Sequence, residues 1–147
     1  MESRVADEFL SACNRAFGFL VNDPDFRAGT LEVDEEIHFA TVRYLGKNVA
    51  VECIFDQNES VVEVKMSRVV NGITPAEYST NSAGRRVRED LIEFLMRRGI
   101  RGFGFRKERL SIKPLTEMFQ IRLSENADLI KKYGSEIMQD SATLFEK

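Results

Sequence analysis

The chain has 147 residues, a formal net charge of −3, eleven phenylalanines, no tryptophan and two cysteines. That length suits one domain burying roughly 68–70% of its unfolded surface, and the mild acidity gives no general case for nucleic acid or membrane as partner. One histidine and two separated cysteines cannot make a zinc site of ordinary spacing, and no apolar run approaches the length that spans a bilayer.

The N-terminus carries Glu2, Asp7 and Glu8 and lacks the apolar core of a signal peptide. The expectation is therefore a soluble, cytoplasmic protein. Ser3 is placed to cap a first helix reaching about Ala16, with Phe9, Leu10, Cys13, Ala16 and Phe17 on one face. Gly18 suits the left-handed position that ends a helix, and Phe19-Leu20-Val21 then reads as a short strand before the turn Asn22-Asp23-Pro24-Asp25. Arg27 to Val33 is a weaker strand.

Ile37 to Val70 is the centre of the reading. Ile37 to Leu45 is rich in β-branched and aromatic residues and closes on Gly46-Lys47-Asn48, a hairpin turn. In the next run Val49, Val51, Cys53 and Phe55 share one face, and Ala50, Glu52, Ile54 and Asp56 the other. After Asp56-Gln57-Asn58-Glu59, residues Val62, Val64 and Met66 repeat the inward row. Asn71-Gly72 supplies another turn. Strands joined by such short loops pair antiparallel, because a parallel pair needs a long crossover.

Thr74 to Gly84 reads as an exposed loop. Arg85 to Arg98 is predicted as a second helix with Val87, Leu91, Phe94 and Leu95 buried and Gly99 just past its end. Residues 100 to 112 read as irregular. Pro114 fits the first turn of a third helix reaching Tyr133, ended by Gly134, with Ser135 capping a last short helix that contains Ile137, Met138, Leu144 and Phe145. The fold class expected is α+β in a single domain over 1–147. Its antiparallel sheet of three to five strands forms a meander covered by an N-terminal helix and two to three C-terminal helices.

Three features invite a functional reading. Residues 1–84 hold 7 basic and 14 acidic side chains, and 85–113 hold 10 and 4. In the acidic part, Asp34, Glu35 and Glu36 with the flanking loop form a patch that suits a basic protein partner, though clustered loop carboxylates are more simply solvated. In the basic part, Arg97, Arg98, Arg101, Phe103, Phe105 and Arg106 interleave cations with rings that can bind phosphates and stack bases. A solvated face paired with the acidic half explains the same residues. Gly99 to Gly104 follows a predicted helix rather than opening one, so it is a connection and not a phosphate loop. His38, beside a strand expected to be half-buried, is given a structural role, and Cys13 and Cys53 that of buried reduced thiols. With no nucleophile motif or histidine pair, no catalytic residue is assigned. Neither a cofactor nor a metal is expected.

The order of elements resembles that of small bacterial immunity-type proteins encoded beside polymorphic or contact-dependent toxins. The likeness rests on the N-terminal helix followed by Phe17-Gly18-Phe19, on the meander, and on the tail from Glu125 to Ile137. It implies a binding protein without catalysis whose acidic or mixed surface plugs a toxin. The leading expectation is thus a non-enzymatic cytoplasmic binding protein, toxin-neutralising by occlusion, with Asp34, Glu35 and Glu36 facing a basic toxin domain. The alternatives are a nucleic-acid module using the Arg/Phe segment, or a small ligand-binding protein or enzyme with a pocket between sheet and helices. A homodimer through an open strand edge is also left open.

Overall fold

A computed structural model describes residues 1–22, 26–69, 71–74, 88–100 and 114–138. Helix α1 spans Ser3–Val21, strands β1 to β5 span Thr30–Asp34, Phe39–Leu45, Val49–Asp56, Val61–Arg68 and Arg88–Asp90, and helices α2 and α3 span Leu91–Arg97 and Leu115–Met138. The five strands form one antiparallel sheet in the order β1-β2-β3-β4-β5, each paired with its chain neighbour. This is the α+β meander expected from the alternating runs.

One apolar cluster fills the space between the sheet and the helices. The inward row of β3, Val49, Val51, Cys53 and Phe55, meets Phe9, Ala12, Cys13, Phe17 and Leu20 of α1 and Met118, Phe119, Leu123 and Ile130 of α3. Three rings join those elements: Phe119 stands edge-on to Phe9 and Phe55, with centroids 5.1 and 4.8 Å away. Leu91, Phe94 and Leu95 carry α2 into the same cluster.

Four sequence expectations are corrected. Helix α1 runs through Gly18 to Val21, so no strand forms at Phe19-Leu20-Val21. The reason is energetic: a helical glycine costs about 1 kcal/mol against alanine, whereas burying Phe17 and Leu20, 0% and 5% exposed, returns about 1.5–3 kcal/mol each. Helix α3 likewise continues through Gly134 to Met138, so the separate last helix capped by Ser135 does not form there; Leu144 and Phe145 lie outside the described residues. Arg88–Asp90 is a strand rather than the first turn of a helix, because it pairs with Ser67, Met66 and Lys65 on the open edge of β4. Finally, Ser3 is the first residue of α1, not its cap; Glu2 holds that place, with no side-chain bond to the helix.

Gly99 ends α2 as expected. Its φ is +81°, its N–H donates to the Met96 carbonyl, and Ile100 N–H donates back to the Leu95 carbonyl, which is the double closure of a Schellman stop. The Gly18 position is different. A Cβ built there meets nothing within 4 Å, so Gly18→Ala is expected to stabilise the protein by roughly 0.5–1 kcal/mol. A urea midpoint that does not rise would show the last turn of α1 to be frayed.

Candidate functional site

The antiparallel order places the β1–β2 and β3–β4 turns at the same end of the sheet, and the two are built alike. Asp34 Oδ1 accepts from the N–H groups of Glu36 and Ile37 at 3.0 and 3.4 Å. Asp56 Oδ1 accepts from those of Asn58 and Glu59 at 2.9 and 3.2 Å. Each turn closes on a residue in the left-handed region, His38 at φ 57° and Ser60 at φ 52°. That conformation costs a side-chain-bearing residue about 1–2 kcal/mol, and the aspartate caps help to offset it. The turns are also tied together: Gln57 N–H donates to the His38 carbonyl at 3.0 Å, and Asn58 Nδ2 to that of Ile37 at 2.6 Å.

This end presents Asp34, Glu35, Glu36 and Glu59 as exposed carboxylates, with Ile37 half-exposed among them. Glu35 meets the α-amino group of Met1. The three predicted partner residues therefore stand together on a braced turn, but not with equal roles. Asp34 holds the backbone, while Glu35 and Glu36 face outward. His38 corrects its sequence reading: its side chain is exposed, and its structural contribution is a backbone carbonyl and an unusual φ.

A second constellation escaped the sequence reading. On the face of the sheet opposite α1 and α3, Arg43, Glu52 and Lys65 stand in register across β2, β3 and β4, with Asp90 next on β5. Glu52 is 1% exposed in its side chain. Its Oε2 accepts from Arg43 Nε and Nη2 at 3.1 and 3.0 Å and from Arg88 Nη2 at 3.1 Å. Oε1 lies 3.1 Å from Arg88 Nε, and Arg43 Nη1 reaches on to Glu32 at 3.1 Å. Ala50, Ile54 and Ser67 on this face are buried too, so β3 is covered on both sides and the expected outward alternation fails. The signal was available: opposite charges at outward positions of successive strands stabilise a sheet as cross-strand pairs.

The basic candidates divide. Arg97 pairs with Glu89 at 2.6 Å, and the Arg98 guanidinium lies 4.4 Å from the centre of the Phe94 ring. Both are thus engaged within the protein. Arg101, Phe103, Phe105 and Arg106 lie outside the described residues. Burial raises the Glu89 carboxyl above its ordinary range, Glu93 adds to that, and Arg97 and Arg98 oppose it. A carboxyl that holds its proton more tightly folded than unfolded favours folding at low pH, and loses that contribution as pH rises through its folded value. Glu89→Gln is therefore expected to gain stability relative to the parent as pH rises from about 4 towards 7. Parallel stability profiles in urea at several pH values would refute this.

Cys13 and Cys53 are free, fully buried thiols, and burial pushes the Cys13 thiol up. Tyr44 beside them is buried with its hydroxyl donating to Asn14 Oδ1 at 2.7 Å. Among the described residues, two hollows flank α1 and α3. One of about 540 Å³ is lined by Arg4, Asp7, Glu8, Arg15 and Thr116 among others, and one of about 160 Å³ by Ala12, Ala16, Gln120 and Ser124 among others. Both open to the surface, and neither is the deep apolar pocket that a ligand carrier between sheet and helices would need. Among the described residues no cluster of three or more His, Cys, Asp or Glu stands ready for a metal ion, and no helix is long and apolar enough to cross a membrane.

Comparison with protein-family models, curated proteins and solved structures finds no match.

Proposed function

We propose that the protein is a non-enzymatic binding protein of the immunity type, neutralising a basic toxin domain by occlusion through the acidic end of its sheet. The observation that supports this reading is the paired turn structure. Two Asp-capped hairpins, bonded to one another, hold outward carboxylates on a backbone that needs no reordering to bind. Pre-organisation of this kind lowers the entropic cost of association, and a fixed cluster of like charge steers an oppositely charged partner and sets its orientation.

The structure changes how the charge test must be made. Reversing Asp34 would remove the turn's cap along with its charge. Glu35→Lys and Glu36→Lys combined with Asp34→Asn instead preserve an acceptor at the cap while inverting the surface. Parent and triple variant would be immobilised and presented with extract of the native cell. A basic protein retained by the parent at low salt and lost by the variant, together with growth rescue when that protein is co-produced with the parent alone, is the expected result. Equal retention by both would remove the acidic end from the reading.

A further inference from the structure

We propose that β1 is a strand-accepting edge, to which an extended basic segment of a partner protein adds as a further strand with apolar and lysine or arginine residues in alternation. The inference rests on the acidic-end reading above and specifies what the partner brings to it.

Among the described residues β1 has a single strand neighbour, β2, and alternate N–H and C=O groups of an edge strand point away from its sheet. Its two rows of side chains dictate what can lie beside it. Leu31 and Val33 are half-buried against the core, whereas Thr30, Glu32 and Asp34 are exposed on the other face. An added strand continues both faces, because successive side chains point to opposite sides of a sheet. Its inward residues would extend the core past Leu31 and Val33 and must be apolar. Its outward residues would stand beside Glu32, which is 66% exposed and shares one oxygen with Arg43, and beside Asp34. Cations are the complement there, since opposite charges directly across a strand pair stabilise and like charges destabilise.

The same rule weighs against a second copy of this chain. Antiparallel pairing of two β1 strands about their central residue sets Glu32 against Glu32, beside the carboxylates of both turns. Charge thus selects a foreign basic strand over self-pairing. Main-chain bonds would supply affinity and the alternating side chains specificity, as in other cases of strand addition.

The probe is a fluorescent synthetic peptide of about eight residues alternating valine and lysine, titrated into the full chain while backbone amide signals are followed. Two control peptides accompany it: one alternating valine and glutamate, and one of the same valine–lysine composition with alternate backbone nitrogens methylated. The expected result is binding by the first peptide alone, with the amides of residues 30–34 shifted and newly protected from exchange. Glu32→Lys, which leaves the edge backbone intact, should weaken binding by about tenfold or more. Four outcomes overturn the inference: no shift on β1 at roughly millimolar peptide and low salt, equal binding of the methylated peptide, unaltered binding to Glu32→Lys, or a dimer of the chain formed through β1. Shifts confined to residues 34–38 would also overturn it while leaving the acidic-end reading standing, so the two fail separately.

Discussion

Replacing Glu52 with alanine is expected to cost about 3 kcal/mol of folding free energy, a large share of the roughly 5–15 kcal/mol that holds a domain of this kind folded. Among the described residues Glu52 is the one carboxylate bonded to both Arg43 and Arg88, and its side chain is 1% exposed against 22% and 15% for theirs. Without it two guanidinium groups face each other in a layer nearly closed to water. The residual exposure of the arginines sets the expectation at the low end of the roughly 3–5 kcal/mol typical of a broken buried pair. Because the pair is sheltered, added salt should change the loss little. A companion variant decides the cause: Glu52→Met with Arg43→Met and Arg88→Met removes all three charges and should recover much of the loss, as apolar replacements of buried ion networks do. Urea unfolding measures both. A loss below about 1 kcal/mol for the single variant would mean that water shares the network and that its contribution resembles a surface pair.

Phe119→Ala is expected to cost about 3–5 kcal/mol. The ring is fully buried and stands edge-on to Phe9 of α1 and Phe55 of β3, so one truncation opens a cavity where both long helices and the central strand converge. Each aromatic pair adds about 0.5–1.5 kcal/mol beyond the area it buries. Phe119→Leu keeps most of the volume and should lose less than about half as much. Equal losses for the two variants would show that ring geometry, not filled volume, carries the joint. A loss under about 1 kcal/mol for alanine would show that α3 is not seated through this residue.

Legibility from sequence varied with the range of the forces involved. The meander was legible because Val49, Val51, Cys53 and Phe55, like Val62, Val64 and Met66, recur at every second position and because Gly46-Lys47-Asn48 and Asp56-Gln57-Asn58-Glu59 are too short for anything but hairpins. Gly99 was legible as a stop because the backbone there takes a positive φ. Gly18 and Gly134 carried the same local signal and misled. At Gly18 the burial of Phe17 and Leu20 outweighs a propensity of about 1 kcal/mol, and α3 runs on through Gly134 to Met138. Asp34, Glu35 and Glu36 could be named as an acidic group, but not that one of them builds the turn and two face outward. That division depends on which side-chain oxygen lies within reach of which N–H.

By itself the sequence determined the class of fold, the antiparallel order of the central strands and the inward row of the sheet, since period-two patterning and short turns are local properties of the chain. Only the tertiary structure decided that Arg88–Asp90 joins the sheet as a fifth strand, that Glu52 is gripped by arginines from β2 and β5, and that the two acidic turns are fastened side by side. Each of those depends on residues brought together from distant parts of the chain. Their energies arise from desolvation and charge at short distance, quantities that no stretch of sequence contains until the chain has closed upon itself.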